Sequence, residues 1–298
     1  MTMIRFQKAD RITGVDGNFT DSNPRVTVMP DEFPIQPAYP ENAGFWPQFE
    51  QVILHVTQAK NYASTKAGVA KCFRDAGTLN ALRAADLVHL DWPTDLALLV
   101  AKGAKSSGAA WRRFTGSNFT DTVVLLNKLM AEAAWRVSAN SFNSKWHFMA
   151  PRPEEIAGLI ARGELTCPDY IMMQLKDLPN WDLVASNQHK FTTYDEGCPK
   201  HPAFNAMHSA AAAAAGTIIK VMIECDPATK LEIDLGVRNV GYFRTMAGVH
   251  WQVDNDAGFW LGQETVNRFI VPELVSLGAN QTAVEAALAA AQTDWIKA

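Results

Sequence analysis

Apolar residues recur along this chain at the spacing of a buried helix face, and that periodicity limits the fold more than any other feature. Phe49, Val52, Ile53 and Val56 stand at i, i+3, i+4 and i+7, and Leu126, Leu129, Met130, Ala133 and Val137 repeat the pattern, as a helix with one side turned to a core requires. The spacing and its punctuation predict helices from Gly44 onward, over 78–90 and 94–102, over 120–139, and from Glu154 to near Gly163. They predict three more over 208–223, 250–269 and 282–297. Residues 1–43 read as an extended arm, because Pro24, Pro30, Pro34, Pro37 and Pro40 recur there and only Arg25 to Met29 alternates like a strand. Residues 164–207, with Pro168, Pro179, Pro199 and Pro202, read as loop. No internal repeat or linker breaks the pattern, so the expectation is one all-α domain over 1–298.

Length and composition narrow the function. A chain of 298 residues with 48% hydrophobic and 19% charged residues can bury a sizeable core and is not a disordered polymer. Its 27 basic and 31 acidic residues give a net charge of -4, which argues against a general nucleic-acid binder. The first residues, MTMIRFQKADRITG, are charged throughout and lack the apolar core of a signal peptide. The run from Ala210 to Ile219 is too short and alanine-rich to span a bilayer. Cys72, Cys167, Cys198 and Cys225 are scattered without a C-x-x-C pair, so zinc or iron–sulfur sites and a disulfide framework are not expected. The expected setting is cytoplasmic, with no membrane partner.

Three short segments carry an unusual set of polar groups. Lys145 and Arg152 flank WHFMAP, His201 and His208 lie seven apart in HPAFNAMHS, and Arg244, His250 and Asp254 form R-x5-H-x3-D. Two arginines and a lysine brought together would grip a tetrahedral oxyanion with paired hydrogen bonds. His250 and Asp254 stand at i, i+4, so on a helix they would share a face, the carboxylate fixing the imidazole tautomer. His208, at a helix start, suits acid–base work near neutrality. Each feature has a plainer reading: a surface His–Asp hydrogen bond, solvated cations beside a loop, a core histidine. The ordered conjunction with restrictive spacing is what favours a site.

In that order, KWHFMAPRPEE, HPAFNAMHSA and RTMAGVHWQVDNDAGFWLGQET resemble the vanadium-dependent haloperoxidases. That family shares an anion cage with the type-2 phosphatidic-acid phosphatases and bacterial acid phosphatases. R-x-M-x-G-V-H-W, the later L-G-x-E-T (Leu261 to Thr265) and His201, seven before His208, are similar to the algal bromoperoxidase branch. The resemblance spans about 145–267 and implies a helical bundle. The algal enzymes are much longer, so it also implies that part of their N-terminal helical half is missing here. It implies that His250 binds vanadium axially with Asp254 orienting it, and that Lys145, Arg152 and Arg244 neutralise the vanadate oxygens beside Ala206 and Met207. His208 would then bond the apical oxygen and move protons to and from peroxide, and His201 would shape the halide side. The implied cofactor is vanadate, with phosphate able to occupy the same site. The implied partners are hydrogen peroxide, bromide or iodide, a small organic substrate and further copies of the chain as a homo-oligomer.

The family's P-S-G-H is here Asn205-Ala206-Met207-His208, and the lysine and arginine are one residue closer than in the algal branch. Ala206 lacks the serine hydroxyl, Met207 adds bulk where glycine is usual, and Asn205 offers an amide as a substitute donor. Two alternatives stay open on the residues: a phosphatase with His250 as nucleophile and His208 as leaving-group acid, and an oxyanion-binding relative without turnover.

Overall fold

A computed structural model describes residues 4, 23–62, 109–112, 114, 119–187, 190–193 and 198–296; the helices expected over 78–90 and 94–102 lie outside them. The helices are α1 (Phe45–Tyr62), α2 (Phe119–Phe148), α3 (Pro153–Ala161), α4 (Asp169–Lys176), α5 (Met207–Met222), α6 (Pro227–Met246), α7 (Gln252–Ser276) and α8 (Gln281–Ala291). Two short strands, β1 (Ala109–Trp111) and β2 (Ile223–Cys225), pair antiparallel with Ala110 opposite Glu224. The described fold is therefore helical, with one small ribbon.

The periodic residues form the core as expected: the nine named on α1 and α2 are each at most 1% exposed. Several boundaries differ. α2 runs on to Phe148 instead of stopping near residue 139, because its buried face turns polar. Asn140, Ser141, Ser144 and Lys145 are buried there, and a pattern built on apolar residues cannot follow them. α6 was not anticipated. It opens at Asp226-Pro227, where the Asp226 carboxylate accepts from the Thr229 N–H and proline occupies the first turn. The stretch read as loop contains α4 and a 3-10 turn at Trp181–Leu183.

Among the described residues α5 and α7 share the most extensive contact, and α2 packs on both. Glycines set that approach. A Cβ at Gly262 would fall 2.0 Å from the Ala210 carbonyl oxygen, and one at Gly258 would fall 2.5 Å from that of Ala206. The alanine-rich face of α5 thus lies directly on α7 backbone, and the two N-termini are held side by side.

Residues 23–43, read as an extended arm, are irregular instead, with turns and a 3-10 helix at Pro30–Glu32 and no strand over 25–29. Val28, Phe33, Ala38 and Tyr39 are buried in the core, and the Asn140 side-chain oxygen accepts from the Thr27 and Val28 amides. At the other end, Lys220 on α5 is ion-paired to Asp234 at 2.7 Å, and the Trp295 indole N–H donates to the same carboxylate oxygen. No described helix is long and apolar enough to cross a membrane.

Candidate functional site

The polar residues of the three motifs meet where the C-terminus of α2, the start of α3, the loop before α5 and the α6–α7 turn come together. Lys145 is in the last turn of α2 and fully buried. Its ammonium donates to the carbonyls of Pro202 (3.0 Å), Ala203 (2.9 Å) and Asn205. Arg152, also fully buried, precedes the first residue of α3. Its Nε donates to the His201 carbonyl at 2.8 Å and its Nη1 to that of Val249 at 2.6 Å. The same Nη1 is 3.3 Å from His250 Nε2, while Nη2 is 3.1 Å from His201 Nδ1 and donates to the Pro202 carbonyl.

Arg244 is in the last turn of α6, is 4% exposed, and its carbonyl accepts from the Val249 amide. Gly248 makes the turn at φ +73°, where a Cβ would also strike Val56 at 2.7 Å. The turn carries His250 back between Arg152 and α7. His250 precedes α7, which begins only at Gln252, so it and Asp254 do not share a helical face as the i, i+4 spacing suggested. Asp254 is instead the third residue of the helix. Its Oδ2 reaches back to accept from the Trp251 amide at 3.0 Å, the usual capping exchange, and lies 3.0 Å from His250 Nδ1. One carboxylate oxygen thereby caps the helix and orients the imidazole. Trp251, absent from the sequence-derived set, donates its indole N–H to the Pro151 carbonyl and ties this turn to the Arg152 segment.

The loop before α5 completes the site. Ala206 stands at the N-cap without a side-chain cap, and its amide donates to the Asp254 carbonyl at 2.8 Å. Met207 and His208 open α5 and are partly buried. Met207 packs against the apolar cluster of Val26, Ala139 and Phe142. His208 lies close enough to His201 for its charge to act on that ring, and the Phe142 ring meets His201 edge-on at 5.4 Å. Asn205 turns its side-chain amide toward α2. Its oxygen accepts from Ser141 Oγ and its nitrogen donates to Ser144 Oγ, so the amide is a bracket onto α2.

Electrostatics separate these groups. Burial drives the Lys145 ammonium well below its usual range; Arg152 and Arg244 push further the same way, and Asp254 opposes them. His250 is likewise driven well below its ordinary value by burial, then by Arg152, Lys145 and Arg244, and is neutral at pH 7. With Nδ1 paired to Asp254, its Nε2 is left with a lone pair beside the cations. His201 is pushed down by burial and by Lys145 and Arg152. Burial raises Asp254 to about 7, against its hydrogen bond from Trp251 and the nearby cations. Its Oδ1 has no hydrogen-bond partner among the described residues.

Three buried cationic side chains thus surround a neutral imidazole with one weakened carboxylate nearby. Such a cluster is costly to bury alone and is relieved by an anion among the cations. The charge gathered there, two guanidiniums and an ammonium beside an imidazole nitrogen, suits a tetrahedral oxyanion such as vanadate or phosphate.

No family model matches the chain. A vanadium-dependent bromoperoxidase of Ascophyllum nodosum is 26% identical over an alignment of 192 residues, covering 50% of this chain and 34% of that protein. Among solved structures, a bacterial vanadium-dependent iodoperoxidase is matched at TM-score 0.47 and 14% identity, over 80% of this chain and 54% of the other. A homohexameric vanadate-dependent bromoperoxidase of Ascophyllum nodosum is matched at TM-score 0.40 and 14% identity, over 61% and 39%. The chain spans about a third of the curated relative's length. It is vanadium haloperoxidase-like, as the three motifs implied.

Proposed function

We propose that this chain binds vanadate at His250 and acts as a vanadium-dependent haloperoxidase, oxidising bromide or iodide with hydrogen peroxide. The observation that carries the reading is a buried His250 with Arg152 Nη1 3.3 Å from its Nε2 and Asp254 on its Nδ1, near enough to Lys145 and Arg244 for their charges to act on the ring. Vanadate supplies Lewis-acid activation of peroxide without changing oxidation state.

His250 offers Nε2 as the ligand nitrogen, and Asp254 holds its tautomer and strengthens its basicity. Arg152, Arg244 and Lys145 offset the anion's charge in a site closed to water, where charge counts for more than at a surface. The start of α5, at Ala206 and Met207, adds the positive end of a helix. His208, on the partly open side, holds and returns the proton exchanged with peroxide, and His201 with the Phe142 ring bounds the halide approach. Phosphate competes for the same place, and a small organic acceptor takes the oxidised halide. A homo-oligomer in the cytoplasm is part of this reading.

The test is one protein in two assays. Vanadate-loaded protein is expected to oxidise bromide and iodide, but not chloride, in the presence of peroxide. Phosphate-ester hydrolysis without vanadate, coupled with no halide oxidation, would reassign the chain to the phosphatase branch.

A further inference from the structure

Every hydrogen-bonding direction of the Lys145 ammonium is taken by the backbone of one loop. An ammonium has three donors, and these meet the carbonyls of Pro202, Ala203 and Asn205. The loop is fixed on its other sides as well. The Ala203 amide donates to the Ala150 carbonyl, the Ala206 amide to the Asp254 carbonyl, and Asn205 is bracketed by Ser141 and Ser144. This loop leads into His208 and the N-terminus of α5, which the Ala206 amide ties to α7 at the Asp254 carbonyl. Displacing the ammonium toward an anion would strip the buried Ala203 and Asn205 carbonyls of this donor and leave the Pro202 carbonyl to Arg152, a loss that one new contact to the anion does not offset.

We propose that Lys145 is a positioning residue that locks loop 201–205, and with it His208, while contributing charge but no direct hydrogen bond to the bound anion. The inference rests on the reading of His250 as the oxyanion site. It assigns Lys145 a role different from that of a ligand to the anion's oxygens, the role the resemblance implied.

Amide hydrogen exchange separates the two roles. In anion-free Lys145→Met, the Ala203 and Ala206 amides are expected to exchange about 10- to 100-fold faster than in the unsubstituted protein. The global unfolding midpoint should not fall in parallel, since the variant also removes one of three crowded cations. Unchanged exchange at both amides in the anion-free variant would overturn the proposal. The unsubstituted protein gives a second reading should the variant fail to fold. Saturating inorganic phosphate is expected to leave both amides as protected as before, whereas faster exchange on adding phosphate would mean that Lys145 leaves the loop for the anion. Failure of phosphate to bind at all counts against the oxyanion site itself, and the anion-free comparison still decides the role of Lys145.

Discussion

At position 206 one missing oxygen bears on both stability and binding. Ala206 occupies the N-cap of α5 with no side-chain acceptor for the helix's first amides, and a serine there supplies one worth about 1 kcal/mol. Ala206→Ser is therefore expected to raise unfolding stability by about that amount, measured in urea. If the hydroxyl turns instead to the anion, a charge-assisted bond of about 1.5–3 kcal/mol raises vanadate affinity by about 10- to 150-fold at ~1.4 kcal/mol per decade. A variant that gains neither would show that the departure at this position has no cost. Met207→Gly is not expected to open the site, because the methionine packs against Val26, Ala139 and Phe142; it should weaken that cluster instead.

The histidines of the site set a pH dependence. His201 and His250 both titrate well below their ordinary value when folded, so below pH ~6.5 the unfolded chain takes up two protons that the folded chain refuses. Asp254 opposes them: raised to about 7 when folded, it keeps a proton that the unfolded chain releases above pH ~4. Two against one makes the contribution of these three groups to stability rise with pH between about 5 and 6.5, by up to about 1.4 kcal/mol per unit. Urea midpoints across that range test the slope, and His201→Phe should flatten it. A slope unaffected by that substitution would place its origin elsewhere.

Between elements, the account depends on how closely α5 and α7 approach. Gly262→Ala puts a methyl group 2.0 Å from the Ala210 carbonyl oxygen, so the helices must separate, at about 1–3 kcal/mol or more. Because the same interface seats Ala206 against Asp254, vanadate affinity should fall together with stability; a stable variant with full affinity would contradict the packing argument. The elements also show what could be read from sequence. α1 and most of α2 were legible because their buried faces are apolar at a regular spacing. The end of α2 was not, because Asn140, Ser141, Ser144 and Lys145 replace apolar residues on that face to build the site. α6 announced itself only by Asp226-Pro227, a capping signal without a strong apolar stripe. The ordered motifs singled out Lys145, Arg152, His201, His208, Arg244, His250 and Asp254 as candidates. What spacing could not convey was that His250 sits in a turn and meets Asp254 through a helix cap, or that Lys145 faces backbone carbonyls.

Across the whole molecule, α2, α3, α5, α6 and α7 each contribute a terminus to one buried polar centre, and the apolar core surrounds it. The centre holds more positive than negative charge, which is tolerable in a folded protein when an anion resides there. Vanadate titration followed by calorimetry, with a parallel crystal soak, tests this most directly. The unsubstituted protein is expected to bind one vanadate with the anion seated at His250 Nε2. Asp254→Ala should bind about 10- to 100-fold more weakly, and His250→Ala should lose binding while keeping its helical circular dichroism. Vanadate bound equally well by His250→Ala, or found away from His250 in the soaked crystal, would contradict the account.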